Sequence, residues 1–250
     1  MKHDDQVADA FGTTAAAYLT SQTHASGADL GTLAGEIAAT PDADVLDLGC
    51  GAGHASFACA PHARSVLAYD LAEPMLATVA AAARERGLTN IRTQQGAAER
   101  LPFGDGSFDW VVSRFSAHHW HDVPQALAEV RRVLKPGGRV LFIDVVGAEH
   151  PLLDTHLQAV ELLRDGSHVR NYREGEWLSL FAAAGFTANA RERWRLPIDY
   201  ASWIARMRTP AERAQAIRSL WASAPDEVRD YYGVQPDGSF NLDVAMVEAR

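Results

Sequence analysis

Residues 45–54 read VLDLGCGAGH, a short apolar run followed by glycine at 49, 51 and 53. An apolar run of this length, bounded by glycines, reads as a buried strand. Glycines beyond it remove Cβ atoms where a ligand approaches the backbone or the chain turns tightly. The dinucleotide fingerprint G-x-G-x-x-G needs glycine at the sixth position from Gly49, where this chain has His54. A phosphate-binding loop needs a Lys-Ser or Lys-Thr pair, and none follows. Asp47, two residues before the first glycine, adds a carboxylate that repels pyrophosphate and attracts an ammonium or sulfonium group.

Outward from this loop, apolar runs and helical stripes alternate. Phe11 and Tyr18 mark a helical lead-in within the first 25 residues, and Leu30, Leu33, Ala34 and Ile37 recur at helical spacing before Pro41. Residues 44–48 form a first strand, 52–60 a helix and 65–69 a second strand. Pro74 and Gly87 bound the next helix, and residues 91–95 and 108–113 are the third and fourth strands. Asp122, with Gln125 three residues on, caps a helix striped by Val123, Leu127, Val130 and Leu134, which Pro136-Gly137-Gly138 stops. Residues 139–146 are a fifth strand. Beyond 147 the pattern loosens to helices at 177–184 and 210–223 and strands at 189–196 and 239–248. Strands alternating with helices predict a mostly parallel α/β sheet with helices on both faces, binding its ligand at the carboxyl ends of the strands near the switch point.

The 250 residues, 47% of them hydrophobic, suit one domain. A net charge of -9 with both signs interspersed argues against nucleic acid as a partner. No run of about 18 apolar residues predicts a membrane span. The opening MKHDDQVADAFGTT is acidic and polar, so no signal peptide is expected. Cys50 and Cys59 make neither a disulfide framework nor a zinc pattern. The expectation is a cytoplasmic protein, with a homodimer left open.

A second carboxylate, Asp70 in LAYDLAEPM, ends the second strand about 20 residues after the first glycine, where an acidic residue accepts from both ribose hydroxyls. A ribose, a cationic amino-acid tail and little phosphate describe S-adenosylmethionine.

VLDLGCGAGH, YDLAEPML, QGAAERLPFGDGSFDWVVS, RFSAHHW and LAEVRRVLKPGGRVLFID, in that order, resemble the class I S-adenosylmethionine-dependent methyltransferases. The likeness spans residues 8–146 and is closest to the branch containing the ubiquinone/menaquinone-biosynthesis methyltransferases. SHVRNYREGEWLSLFAAAGF and LPIDYASWIARMRTPAER resemble an uncharacterised bacterial subgroup of that branch. The resemblance implies a Rossmann-like, doubly wound, mostly parallel seven-stranded sheet forming one methyltransferase domain over residues 1–250. Residues 1–40 would be a helical cap, 41–146 the cofactor-binding core, and 147–250 a substrate-side roof that completes the sheet. It also implies methyl transfer from S-adenosylmethionine to carbon, oxygen or nitrogen of a small-molecule acceptor. Gly49, Gly51 and Gly53 would pass under the cofactor, Asp47 would lie near its amino group and Asp70 would hold its ribose. Leu71 and Met75 would line the adenine side, bordered by Gly96, Ala97, Ala98 and Glu99. Many relatives carry Asp where this chain has Ala97, so adenine contact here would rest on backbone, chiefly at Ala98. Ser113 and Arg114 would face the methionine end, and Tyr18 would close over the cofactor; plain packing stays open for Tyr18, Leu71 and Met75.

AHHWH at 117–121 follows the fourth strand. His119 is the first candidate general base, Asp144 at the end of the fifth strand the second, with His118 behind them and His121 at the surface. Without an Asp, Glu or Cys at recognised spacing, no metal is expected. Arg170, Tyr172 and Trp177 are read as substrate roof or solvated surface. Two other readings remain. A NAD-dependent oxidoreductase is disfavoured by His54 and Asp47, and a non-catalytic module would bind S-adenosylmethionine without transferring its methyl group.

Overall fold

The structure, a computed structural model, describes residues 2–12, 14–19 and 27–250. Its centre is a seven-stranded sheet in the order β3-β2-β1-β4-β5-β7-β6. These strands are β1 Asp44–Leu48, β2 Ser65–Asp70, β3 Ile91–Gln95, β4 Phe108–Arg114, β5 Leu134–Val145, β6 Ala188–Ile198 and β7 Phe240–Ala249. The first five run parallel, and β7 is antiparallel to both β5 and β6. Strand order reverses between β1 and β4, so the crevice beyond their carboxyl ends is where such a sheet takes its ligand.

The central strands are apolar on both sides because both faces are covered. On one face Val45, Trp110, Val112 and Ile143 pack with Leu33 and Ile37 of α3 (Ala28–Ala38), Ala55 and Cys59 of α4 (His54–Cys59), and Leu157 and Val160 of α7 (Pro151–Arg164). On the other, Leu46, Leu48, Val111 and Phe142 meet Leu127 and Val130 of α6 (Val123–Val133) and Trp177 and Phe181 of α8 (Glu174–Ala183). Each such fully buried side chain contributes about 1.5–3 kcal/mol. Between β2 and β3, α5 (Glu73–Glu85) carries Pro74 in its first turn, as its sequence predicts.

Several boundaries differ from the sequence reading for local reasons. The helix after the glycine loop starts at His54 rather than 52, because Gly53 precedes it in the left-handed region at φ 88°. The capping at Asp122 forms as predicted, its Oδ1 accepting from Gln125 N at 3.0 Å. Leu134, read as the end of that helix's stripe, instead begins β5. The Pro136-Gly137-Gly138 segment lies in a bulge where the register jumps from Phe108↔Leu134 to Trp110↔Arg139.

Three helices have no counterpart in the sequence reading: α7, α9 (Tyr200–Arg206) and α11 (Asp226–Tyr232), the last following α10 (Ala211–Ser223). The inner face of α7 buries Glu161 and Arg164 together with Leu157 and Val160, so charges interrupt its apolar stripe. Among the described residues the lead-in includes α1 (His3–Gly12) and α2 (Ala15–Leu19), set over the carboxyl ends of the strands. Among the described residues, no helix is long and apolar enough to cross a membrane.

Candidate functional site

The glycine loop is tied down before any ligand arrives. Gly49 and Cys50 donate their backbone N–H groups to Tyr69 O at 2.8 and 3.0 Å. Gly51 N donates to Asp70 Oδ2 at 2.8 Å, and Ala72 N to Asp70 Oδ1 at 2.9 Å. Asp70 therefore clamps the loop to the end of β2 as well as facing the crevice. The three glycines do different work. A Cβ on Gly49 would stand 1.9 Å from Ser116 Oγ, and one on Gly53 2.8 Å from Val79 Cγ2; one on Gly51 would meet nothing within 4 Å. Gly51 is thus bare toward open space, whereas Gly49 and Gly53 are bare toward protein.

That space is a cavity of about 940 Å³ over the β1–β4 switch point. Asp47 forms part of its wall at 1% exposure. Ser56 Oγ donates to its Oδ2 at 2.6 Å, while Oδ1 is buried with no partner among the described residues. Burial lifts the Asp47 carboxyl to about 6, against the pull of the Ser56 hydrogen bond and helped by the charge of Asp70. Burial likewise raises Asp70, against its backbone donors. A carboxylate oxygen held dry and unsatisfied at a cavity wall suits a cationic donor.

The N-terminal helices cover this cavity. Tyr18 Oη donates to Met207 Sδ at 3.0 Å, His54 Nε2 donates to Tyr18 O at 3.1 Å, and His3 Nε2 donates to His119 O at 2.8 Å. The Phe11 ring stands 4.8 Å from that of His119 and 5.5 Å from that of Tyr18. Arg114 reaches the wall, and its Nε makes a 2.5 Å ion pair with Asp29 of α3, both side chains buried. Phe115 follows in the left-handed region at φ 52°, a strained conformation of the kind that clusters at binding sites.

A second cavity, about 500 Å³, adjoins the first, and Phe11, Tyr18, Phe115 and His119 wall both. His118 faces the second cavity. Its Nδ1 donates to Asp144 Oδ1 at 2.6 Å and its backbone N to Oδ2 at 3.2 Å, while Val145 N also donates to Oδ1 at 2.8 Å. Burial works to lower the His118 imidazole, but the charge and hydrogen bond of Asp144 outweigh it and hold the imidazole above its ordinary value. His119 behaves oppositely. Burial first, then the charge of His118, bring it down to about 3; its Nδ1 donates to Ser167 O at 3.2 Å, and its Nε2 lies 4.0 Å from Asp165 Oδ2. Among the described residues no group of three or more metal-ligating side chains is placed to hold an ion.

Of the residues the sequence singled out, Tyr18, Asp47, Gly49, Gly51, Asp70, Leu71, Met75, Ala98, Arg114 and His119 meet in the first cavity, with His54, Gly96, Glu99 and His121. Gly53, Ala97, Ser113 and Asp144 stand outside both cavities. Gly53 turns toward Val79. Ala97 carries a carbonyl that accepts from Tyr69 Oη at 3.4 Å. Ser113 is buried with its Oγ unpartnered among the described residues. Asp144 lies behind His118. Arg170, Tyr172 and Trp177 line neither cavity: Arg170 pairs with Glu176 at 3.0 Å, and Trp177 packs in the core beside Phe142, with Tyr172 against it. The roof comes instead from α1, α2, α7 and α9. Phe115, Ser116 and Trp120 lie within the RFSAHHW motif but were given no role from sequence; they line the first cavity just beyond the carboxyl end of β4. Sequence reasoning also missed Glu161, Arg164, Trp203 and Arg206, for which periodicity offered no signal.

The unsatisfied Asp47 oxygen, the clear backbone at Gly51 and the carboxylate of Asp70 on the same wall fit an amino-acid tail and a ribose. This fold and site define an S-adenosylmethionine-dependent methyltransferase. Residues 46–142 match the family described as a methyltransferase domain. The chain is 52% identical over 198 residues to the uncharacterised protein YafE of Escherichia coli, covering 79% of this chain and 96% of that one. It is 40% identical to the uncharacterised methyltransferase YcgJ of Bacillus subtilis over 89% of this chain and 88% of YcgJ. The crystal structure of YcgJ matches at TM-score 0.82 and 38% identity, over 88% of this chain and 97% of that one. A putative methyltransferase from Bacillus halodurans matches at TM-score 0.85 and 33% identity, over 90% and 99%. The chain belongs to the S-adenosylmethionine-dependent methyltransferase family.

Proposed function

We propose that this enzyme methylates a small molecule held in the second cavity, at an oxygen or nitrogen that loses a proton. The observation that carries this reading is the cavity itself. A partly open cavity of about 500 Å³, walled by apolar and charged side chains, abuts the cofactor cavity, which suits a metabolite and leaves a binding-only module without a use for it. Bound in the first cavity, S-adenosylmethionine supplies a methyl group on a positively charged sulfur that leaves as a neutral thioether.

The chain's own part is to orient and to take a proton. Asp47 receives the amino group and Asp70 the ribose, Leu71 and Met75 pack on the adenine side with backbone at Ala98, and Tyr18 closes over the top. The acceptor lies across the wall shared by Phe115 and His119, with water kept out. As it reacts, its O–H or N–H proton passes to His118, whose Nδ1 is engaged by Asp144 and whose Nε2 has no partner among the described residues. We assign this task to His118 rather than to His119, because a ring lowered to about 3 is too weak a base and its outer nitrogen faces Asp165. Asp144, screened from the cavity by His118, is a positioning residue. The reading includes a single domain with the N-terminal helices as its cap, working in the cytoplasm.

The test is a screen with methyl-labelled S-adenosylmethionine against a small-metabolite library, with His118→Ala as control. Label in a low-molecular-weight product, lost in the variant, is the expected outcome. Label only in protein or nucleic acid would overturn the proposal.

A further inference from the structure

The second cavity contains charge that the methyl-transfer reading does not use. Its walls are mostly apolar, with Val145, Leu196, Ile198, Leu242 and Trp203 among them. Into this space α7 places Glu161 and Arg164, three residues apart and only 5% and 8% exposed. Arg164 is held firmly by one edge. Its Nε donates to Trp203 O at 3.2 Å, and its guanidinium carbon sits 4.9 Å from the Trp203 ring centre. Its two terminal nitrogens have no acceptor among the described residues. Glu161 likewise makes no hydrogen bond or ion pair among them, and the two do not pair with each other although they share a helix face. Holding an ionisable group in a little-exposed wall with no protein partner for its terminal atoms is costly. Two in one cavity, open toward the same space and next to the reaction site, point to a ligand that satisfies them.

The chemistry of that ligand follows from the geometry. A guanidinium fixed at Nε presents two parallel N–H bonds from its far edge, the complement of a planar two-oxygen anion. Arg206 of α9 walls the same cavity, so two guanidinium groups face one carboxyl there; that balance favours an anionic head group, and Glu161 limits it to a single negative charge. We propose that the methyl acceptor is a carboxylic acid with an apolar, ring-sized body. Its carboxylate is bound by Arg164 with Glu161 alongside, and its body lies on Trp203 and Phe115, which turns the reacting atom toward His118. This inference rests on the proposed acceptor site and adds the class of molecule that fills it. Burial raises Glu161, with the nearby charges of Arg164 and His118 acting against the rise and those of Asp165 and Asp144 adding to it.

The experiment needs no knowledge of the natural acceptor. Full-length protein saturated with S-adenosylhomocysteine is titrated calorimetrically with 3-phenylpropanoate, 3-phenylpropanamide and 2-phenylethylphosphonate, which share one body and differ in the head group. The carboxylate is expected to bind at least about 10-fold more tightly than the amide, in keeping with a charge-assisted bidentate contact. Arg164→Gln is expected to erase that preference while S-adenosylhomocysteine binding stays within about twofold. Arg164→Lys, which keeps the charge without the fork, falls between. In the wild type, carboxylate affinity declines as rising pH ionises Glu161 and takes the proton from His118, and Glu161→Gln removes the Glu161 share of that decline. An amide that binds as well as the acid, a phosphonate that outbinds it, no carboxylate binding at millimolar probe, or a preference that survives Arg164→Gln would each overturn the inference. The wild-type comparison stands even if an Arg164 variant fails to fold. Failure of the wild type to bind S-adenosylhomocysteine would sink the cofactor site instead, a separate readout in the same titration.

Discussion

Asp47, the proposed partner of the cofactor's amino group, carries a cost to stability. Its carboxyl is raised to about 6 in the fold, against about 3.9 in an unfolded chain. A raised acid is a liability that is fully present above the folded value and disappears as pH falls toward the unfolded one. At neutral pH the shift corresponds to about 3 kcal/mol at most. Asp47→Asn keeps an acceptor for Ser56 and removes the buried charge. We expect the unliganded variant to melt several degrees higher than wild type at pH 7.5, at about 2–4 °C per kcal/mol, with the gap closing by pH 4. The same variant should bind S-adenosylmethionine at least about 10-fold more weakly. In the wild type that affinity should fall as pH drops below 6 and the carboxylate is protonated, a dependence Asp47→Asn abolishes. Calorimetry and melting curves across pH read both effects.

A second prediction at this scale concerns His118. A base must be deprotonated to act, and Asp144 raises the value at which His118 loses its proton. The acid limb of kcat/KM should therefore lie above the ordinary imidazole value of about 6.5. Asp144→Asn should move the limb down and cut kcat by about 10²-fold or more, with KM little changed. His119→Ala should leave the limb where it is. A limb unmoved by Asp144→Asn would remove His118 from the proton path.

At the scale of the element, the loop from β1 into α4 separates folding glycines from a binding one. Gly53→Ala puts a methyl group 2.8 Å from Val79 in a left-handed backbone and should cost about 1–3 kcal/mol of stability. Gly51→Ala, also left-handed but open on its outer side, should cost about 1 kcal/mol and mainly damage cofactor binding. Chemical denaturation paired with cofactor titration distinguishes the two, and equal effects on both would refute the division. This loop was legible in the sequence, because a strand and a turn are local and each leaves a local mark, an apolar run and a glycine; the cap of α6, Asp122 before Gln125, is local in the same way. The α7 helix was not legible. A helix that turns Glu161 and Arg164 inward lacks the uninterrupted stripe that periodicity detects.

Across the whole molecule, the cofactor cavity is closed by segments far apart in the chain. The cap is joined to the rest through Tyr18 on Met207 and on His54, and through His3 on the His119 carbonyl. The Asp4–His121 ion pair and the packing of Ala15 and Tyr18 on Ala52, Ala72 and Met75 add to these, still far fewer contacts than the sheet core makes, so the cap is an element of lower local stability. Adding S-adenosylhomocysteine should slow amide exchange in residues 3–19 and 200–207 far more than in β1, β4 and β5, measured by hydrogen–deuterium exchange. Uniform protection, or none in the cap, would show that it does not close on the ligand.

The amino-acid sequence by itself determined the alternating α/β order and the glycine loop after β1, and it marked the two carboxylates, Asp47 and Asp70, that the structure places on one cavity wall. All of these depend on residues close together in the chain and on the period of the backbone that carries them. Only the tertiary structure decided which glycine faces open space, that Asp144 stands behind His118, that Trp177 belongs to the core, and that Glu161 and Arg164 line the second cavity. Those facts depend on which distant segments fold against one another, and no spacing along the chain encodes the direction in which a buried charge points.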